Sequence, residues 1–249
     1  MKETQQFPTE QVTLPSKGLL YSENSPLKGG IIEMKYMTAR EEDILTNQNY
    51  IEDGTVIDRL LKSLIVTKGV NYDDLLIGDK NAILIAARIL GYGSDYDFDY
   101  LGQRYNVDLT NAVDKHIDKS LIREGKNEFD FTLPTSKINI TFKLMTHKDE
   151  SKIAKELEGL KKLDKKSNKS ISTRLKHTIL SVNGDYEIKT IREFIENTLL
   201  ARDSRALRNY IKEIQPDVEI TFKHTDGAGN SKDIDVPIGV TFFWPDVDV

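Results

Sequence analysis

Residues 33–43, EMKYMTAREED, and residues 141–151, TFKLMTHKDES, share the pattern Lys, apolar residue, Met, Thr, two free positions and two acids. Apolar and charged side chains alternate over residues 32–36, which predicts a half-buried strand. Thr38 stands three positions before Glu41, the spacing of a capping box that satisfies free amides at a helix start. The pattern therefore predicts a strand that runs into a capped helix, and it occurs twice.

The second copy has the same signals around it. Apolar side chains alternate over residues 129–133 and again over residues 138–144, and Thr146 precedes Asp149 by three positions. Apolar residues at helical spacing predict further helices at residues 55–66, 174–180 and 186–200. Two more helices are predicted at residues 80–90, which follow Asp79, and at residues 204–214, which follow Asp203, because Asp often precedes the first turn of a helix. Hairpins are predicted over residues 96–109 and 218–244, where alternating strands flank turn residues.

Three anchors suggest an internal duplication. Met37 corresponds to Met145 with an offset of 108, Arg59 to Arg174 with an offset of 115, and Asp79 to Asp203 with an offset of 124. The order of the anchors is kept while the loops between them lengthen. The alternative is chance recurrence, because capping residues are common in any helical protein.

The resulting prediction is an α+β fold with two tandem, pseudo-repeated lobes. Each lobe would contain a strand, three or four helices and a β-hairpin. Residues 1–13 are polar and aperiodic, which predicts a flexible N-terminal arm. The first lobe would span residues 14–125 and the second lobe residues 126–249.

Composition narrows the functional classes. The chain has 249 residues, a formal net charge of −5, 38% hydrophobic and 30% charged residues, and no cysteine. This balance gives no general attraction to nucleic acid or to an anionic membrane, and it excludes disulfides and thiolate metal sites. The start of the chain lacks the apolar core of a signal peptide, and the run AILIAA at 82–87 is far shorter than the about 20 residues that span a bilayer. We therefore expect a cytosolic protein.

No stretch has the pattern of a catalytic or cofactor site. The four histidines, His116, His147, His177 and His224, are widely separated. The aspartates of SDYDFDY at 94–100 begin like a calcium loop, but Tyr100 stands where a glycine must turn the chain. The glycine-rich segment DGAGN at 226–230 lacks the Lys-Ser/Thr of a phosphate-binding loop. We expect no cofactor, no metal, no small-molecule substrate and no catalytic residue.

Two segments are candidate partner-binding sites. The first is the turn LPSKG, which comprises Leu14, Pro15, Ser16, Lys17 and Gly18 and follows the predicted arm. Its alternative role is a simple turn without a partner.

The second candidate lies at the other end of the sequence. Phe243, Trp244 and Pro245 belong to the aromatic segment VTFFWPDVDV, and concentrated aromatic side chains can anchor an interface. In the alternative interpretation, Phe242 and Trp244 share one face of a strand and close the core of the second lobe.

Five phrases resemble one known family. They are LPSKGLLY at 14–21, MTAREEDIL at 37–45, LLIGDKNAILIAARILGYGSDY at 75–96, LLARDSRALR at 199–208 and VPIGVTFFWPD at 236–246. In this combination the sequence is similar to the baseplate hub assembly family of contractile-tailed bacteriophages of the T-even type. The phrases cover nearly the whole chain.

The resemblance implies an assembly factor or chaperone for the baseplate hub, whose partners are other hub proteins in the cytoplasm of an infected bacterium. The alternatives are a permanent structural subunit of the virion baseplate and an enzyme that acts on another tail component. Relatives often carry cysteine pairs in the two hairpin loops, which implies small zinc sites. This chain has LGQRYN at 101–106 and HTDGAGNSK at 224–232 instead, so no metal is expected.

Overall fold

The computed structural model describes residues 8–123, 125–163, 169–227, 229–238 and 242–244. The helices are α1 (Ala39–Leu45), α2 (Gln48–Glu52), α3 (Val56–Leu64), α4 (Ile77–Tyr92), α5 (His147–Leu163), α6 (Ser170–Thr178), α7 (Ile188–Glu193) and α8 (Ala201–Ile214). The strands are β1 (Thr9–Thr13), β2 (Ile31–Lys35), β3 (Asp95–Tyr100), β4 (Gln103–Asp108), β5 (Val113–Lys115), β6 (Phe129–Thr132), β7 (Asn139–Phe142), β8 (Ile179–Val182), β9 (Asp217–Glu219), β10 (Thr221–Thr225) and β11 (Ser231–Asp235). The predicted α+β class is confirmed.

The sheets are small and antiparallel. Among the described residues, β1 pairs with β2, β3 with β4, β5 with β9 and β10 with β11, while β6, β7 and β8 form a three-stranded sheet. A π-helical turn, Phe194–Thr198, extends α7, and single 3-10 turns lie at Tyr72–Asp74, Leu109–Asn111 and Lys119–Leu121. Most of the buried apolar side chains form one cluster that draws on both halves of the chain.

The predicted N-terminal arm has to be corrected at Thr9–Thr13. These residues form β1, which pairs along its whole length with β2, so that Val12 lies opposite Ile32. Only Val12 of the strand is partly buried, so the segment carries no apolar alternation that sequence reasoning could detect. Residues 1–7 of the predicted arm lie outside the described residues.

The first strand-to-helix joint contains the predicted capping box. The Thr38 amide donates to a Glu41 carboxylate oxygen at 3.1 Å, and the Thr38 hydroxyl donates to the same oxygen at 2.6 Å. Lys35 Nζ lies 2.8 Å from the other oxygen of this buried carboxylate. Burial disfavours the charge of Glu41, but the hydrogen bonds from Lys35 and Thr38 still hold its pKa below the ordinary value.

The second joint has the same construction. The Thr146 amide donates to Asp149 at 3.1 Å, and the amide of Asp149 donates back to the Thr146 hydroxyl at 3.3 Å. Lys143 Nζ lies 2.7 Å from Asp149 Oδ1. Both copies of the quoted pattern therefore form the predicted strand and capping box, and each adds an ion pair between its Lys and its first acid.

Other features around the two joints also correspond. Turn residues Lys17 and Lys137 both have positive φ, at 51° and 60°. Met34 pairs with Ile65 after α3, and Phe142 pairs with Ile179 after α6. The chain thus returns to the strand of each joint after a helix.

The settings of the two anchor methionines differ. The side chain of Met37 packs against Gly91 of α4, whereas the sulfur of Met145 lies 3.9 Å from Arg174 of α6. Three short helices, α1 to α3, also stand where the second half has only α5 and α6. The duplication therefore stays a hypothesis.

The two predicted lobes are joined by backbone pairing. Strand β5 lies before the predicted boundary at residue 125 but pairs with β9 of the second half. The Ile77 amide donates to the Met145 carbonyl at 3.1 Å, and the His147 amide donates to the Leu75 carbonyl at 2.8 Å. At the start of α4, Gly78 is so close to β9 that an added Cβ would lie 1.8 Å from the Pro216 carbonyl oxygen.

Candidate partner-binding groove

The LPSKG turn is a structural joint. Leu14, Pro15, Ser16 and Gly18 are buried, and only Lys17 is exposed. The Ser16 amide and hydroxyl donate to the two carboxylate oxygens of Asp79, at 2.9 and 2.7 Å. The Lys17 ammonium is also engaged inside the chain, 2.9 Å from Asp114 Oδ2. The alternative interpretation as a turn fits the structure, and partner binding at these residues stays a prediction.

The aromatic residues near the C-terminus are also engaged inside the chain. Phe243 is only 3% exposed, and Trp244 is partly buried with its indole N–H donating to the Leu45 carbonyl at 3.1 Å. Phe242 packs edge-on against Tyr96, with ring centroids 5.1 Å apart. Phe243 thus packs inside the chain, Pro245 lies outside the described residues, and partner binding by this segment stays a prediction.

The core prediction for this segment needs two corrections. Phe242 and Trp244 do not share a strand face, because β11 ends at Asp235 and neither residue is in a strand. Their contacts, Tyr96 and Leu45, belong to the first half of the chain. The segment closes the core across the two halves instead of closing the second lobe alone.

A groove of about 530 Å³ lies between α8 and the strands that follow it. The volume falls within the range of about 300 to 1,000 Å³ that is typical of ligand pockets. Arg208, Ile211, Lys212 and Gln215 line one wall, because spacings of three and four residues bring side chains to one face of a helix. We call this feature the α8 groove.

The floor of the α8 groove is apolar and comes from both halves. Ile85 belongs to α4, Leu109 follows β4, and Phe242 comes from the C-terminal segment; all three are buried. Ile238 lies at the edge of the groove with 49% of its surface exposed. The apolar surface that an occupant can reach comes from Ile238 and from the half-buried Ile211, Val218 and Ile220, which lie over these three buried side chains.

The groove lining carries charges of both signs. Lys115 and Asp217 in the lining are hydrogen-bonded to other groups of the chain. The other four charged side chains are Arg208 and Lys212 on the α8 side and Glu219 and Asp235 on the strand side. Within the described ranges, none of these four side chains has an oppositely charged group within 4.0 Å. Lys115 Nζ crosses from β5 to donate to the Lys212 carbonyl at 2.5 Å, which satisfies an acceptor near the end of α8.

Sequence reasoning missed this groove. The periodicity of residues 204–214 predicts the helix but assigns no role to its exposed face. The floor joins residues as distant as Ile85 and Phe242, and no local pattern signals such a pairing. The one available signal was that Arg208 and Lys212 share a helix face with Ile211.

A cluster of titratable groups lies where α3, α4 and α5 meet. The Lys80 ammonium is 2.8 Å from Asp58 Oδ1 and 3.3 Å from His147 Nδ1. The Tyr72 hydroxyl donates to Asp58 at 2.8 Å, and its ring meets the His147 ring at 4.6 Å. Asp73 lies 3.9 Å from His147 Nε2.

The pKa values in this cluster follow from burial and charge. Burial and the Lys80 charge lower the pKa of His147, and Asp58 and Asp73 only partly oppose them. Burial also raises the pKa of Tyr72, with the Asp58 charge and hydrogen bond adding to the effect. Since these polar groups satisfy one another, the cluster acts as a joint between the halves.

The described residues contain neither a metal-binding cluster nor a membrane-spanning helix. No three or more His, Asp or Glu side chains are grouped so that they could hold a metal ion. Within the same ranges, no helix combines the length and apolarity needed to cross a bilayer. Comparison of the chain with known protein families, curated proteins and solved structures found no match.

Proposed function

We propose that this chain is a non-enzymatic assembly factor for the baseplate hub of a contractile-tailed bacteriophage, acting as a chaperone in the cytoplasm of the infected bacterium. The resemblance of the five phrases to the hub assembly family supports the hub as the target. The structural observation that carries the proposal is the α8 groove, which combines apolar side chains with charges on both walls that have no oppositely charged partner among the described residues.

Such a surface suits a temporary protein contact. Transient interfaces are small and about as polar as the rest of a protein surface, whereas permanent ones are larger and more hydrophobic. The exposed charges keep the groove hydrated when no partner is present, and the apolar floor supplies binding energy when one arrives.

The mechanism follows from occupancy of this surface. A hub protein that buries part of its contact surface against the chain cannot use that part for premature association. Release occurs when a later subunit competes for the same hub surface. No covalent step is needed, so the chain acts through binding alone.

Co-expression with each hub protein, followed by size-exclusion chromatography, tests the proposal. We expect the chain to co-elute with one hub protein and to be displaced when the next hub subunit is added. Hub proteins that assemble fully without the chain, and never co-elute with it, would contradict the proposal.

Mass spectrometry of purified virions tests the temporary nature of the contact. A chaperone is expected in lysates and absent from mature tails. Recovery of this chain from tails at the stoichiometry of the hub would instead make it a permanent subunit of the baseplate.

A further inference from the structure

We infer that the α8 groove recognises an amphipathic segment of its partner whose apolar side chains are flanked by acidic residues on one side and basic residues on the other. The inference rests on the proposed function only in taking a hub protein as the natural partner. It commits to a protein segment of stated chemistry, and this chemistry follows from the two walls and the floor.

The floor determines the centre of the segment. Ile85, Leu109 and Phe242 are buried beneath the groove. The apolar surface that a segment can reach comes from the exposed Ile238 and from three half-buried side chains, Ile211, Val218 and Ile220. A volume of about 530 Å³ admits a few inserted side chains but not a whole domain. Apolar side chains at one face of a short segment would displace water from this floor.

The walls determine the flanks of the segment. Arg208 and Lys212 on α8 attract acidic residues, and Glu219 and Asp235 on the opposite wall attract basic ones. None of these four side chains is paired with an opposite charge in the described part of the chain. A partner segment with acidic residues along one side and basic residues along the other would therefore pair with all four of these charged side chains without breaking an internal ion pair.

The same arrangement disfavours other occupants. A nucleic acid would place phosphates near Glu219 and Asp235, and the resulting repulsion opposes binding. A segment with acids on both flanks would meet the same repulsion, and a segment with lysines on both flanks would be repelled by Arg208 and Lys212. The chemistry selects mixed charge, and this selectivity is measurable.

The test uses the full chain and four fluorescein-labelled helical peptides of about 15 residues. All four carry apolar residues at i, i+3, i+4 and i+7, and their flanks are Glu on one side with Lys on the other, Glu on both, Lys on both, or Gln on both. Fluorescence anisotropy measures the affinities. We expect the mixed-charge peptide to bind about tenfold more tightly than each of the others.

Charge reversal of one wall supplies the second comparison. The double substitution Arg208→Glu with Lys212→Glu makes both walls acidic, so the preference should move to the peptide with Lys on both flanks. The matched control is Arg202→Glu with Arg205→Glu, which makes the same charge change on exposed residues of α8 outside the groove. Circular dichroism of both variants checks that α8 is retained.

The floor has its own variant pair. Ile238→Ser is expected to weaken the mixed-charge peptide about tenfold, and Ile51→Ser, at a similarly exposed isoleucine outside the groove, is expected to leave its affinity unchanged. Equal affinities for all four peptides, absence of binding, or equal effects of groove and control variants would overturn the inference.

The outcomes also separate this inference from the proposed function. If the chain co-elutes with a hub protein equally well after Arg208→Glu and Lys212→Glu, the proposed function stands, but the groove is not the binding site. A chain that selects the mixed-charge peptide but co-elutes with no hub protein keeps the groove and loses the hub as its partner.

Discussion

Asp79 and Asp203 occupy matching positions in the two halves: each is the third residue of a long helix, and each is buried and accepts two hydrogen bonds from a turn that follows a strand. Asp79 binds the amide and hydroxyl of Ser16, and Asp203 binds the amides of Thr135 and Ser136 at 2.8 and 3.0 Å. The carboxylate therefore fixes the angle between helix and hairpin in each half.

The pKa values of the two carboxyl groups move in opposite directions. Burial raises the pKa of Asp79 despite its bonds to Tyr21 and Ser16. Burial also disfavours the charge of Asp203, but the bonds from Thr135 and Ser136 outweigh this and lower its pKa. Asp79 therefore lowers the stability of the fold as the pH rises from the pKa of its carboxyl group in the unfolded chain toward the higher pKa in the folded chain. Asp203 has the opposite effect: its stabilisation is lost as the pH falls below the pKa of its carboxyl group in the unfolded chain.

Removal of these carboxylates is the first prediction. Asp79→Ala leaves the Ser16 groups and the Tyr21 hydroxyl without their buried acceptor, so it should lower the free energy of unfolding by about 3 kcal/mol. Asp203→Ala should cost less, because it leaves only two amides unpaired. Urea denaturation measures both. Asp43→Ala, at an exposed aspartate of α1, is the control and should have little effect.

Close packing at the start of α4 gives a second prediction. Gly78→Ala would place a Cβ 1.8 Å from the Pro216 carbonyl oxygen, so α4 and β9 must separate at a cost of about 3 kcal/mol. Gly159→Ala in α5 meets open space and should stabilise the helix by about 0.5 to 1 kcal/mol. Thermal or urea unfolding that gives both substitutions the same sign would contradict the close contact.

Acidification should weaken the joint around His147, which is the third prediction. The pKa of folded His147 lies below its ordinary value, so the unfolded chain binds more protons in this range. The stabilisation from neutral His147 is complete above about pH 6.5 and is lost as pH falls toward the folded pKa, with a slope of up to about 1.4 kcal/mol per pH unit.

The contribution of His147 is isolated by comparing variants over this pH range. Urea denaturation between pH 7.5 and 5.5 should show a smaller pH dependence for His147→Gln than for the unmodified chain. His116→Gln, which changes an exposed histidine, should keep the full slope. The same slope in all three proteins would show that His147 does not carry the effect.

The fourth prediction concerns the bond from Trp244 to the first half. Trp244→Phe keeps an aromatic ring but removes the donor to the Leu45 carbonyl, so it should destabilise the chain by about 1 kcal/mol. Circular dichroism must report unfolding, because the substitution removes the only tryptophan. Tyr186→Phe, at an exposed tyrosine, is the control and should leave the unfolding midpoint in place.

Local chemistry made several elements predictable from sequence. Two helix starts could be predicted because a capping box depends only on residues three positions apart. The pairs are Thr38 with Glu41 and Thr146 with Asp149. Apolar alternation likewise revealed β3, whose Tyr96 and Phe98 face the core.

The errors arose where tertiary contacts override local preference. Residues 174–180 looked like a continuous helix, yet Ile179 leaves α6 to pair with Phe142. The apolar residues near 242 were expected to continue a strand, but β11 ends at Asp235. Phe242 and Phe243 are instead buried against the first half of the chain. Strand β1 was missed because its partner β2 supplies the order that its own residues lack.

The candidate site was less predictable than the fold. The LPSKG turn and the terminal aromatic residues stand out in the sequence by their residue types, but these residues have structural roles in the fold. The groove joins side chains from α4, α8 and the C-terminal segment, so it exists only in three dimensions. Its rim charges, such as Arg208 and Glu219, are ordinary surface residues when viewed in sequence.

Lysine reactivity in a purified complex with a hub protein tests the central claim most directly. If a hub protein lies in the α8 groove, acetylation of Lys212 should slow on complex formation, while acetylation of the exposed Lys155 on α5 should keep its rate. Undiminished modification of Lys212 in a complex that remains intact would contradict the account.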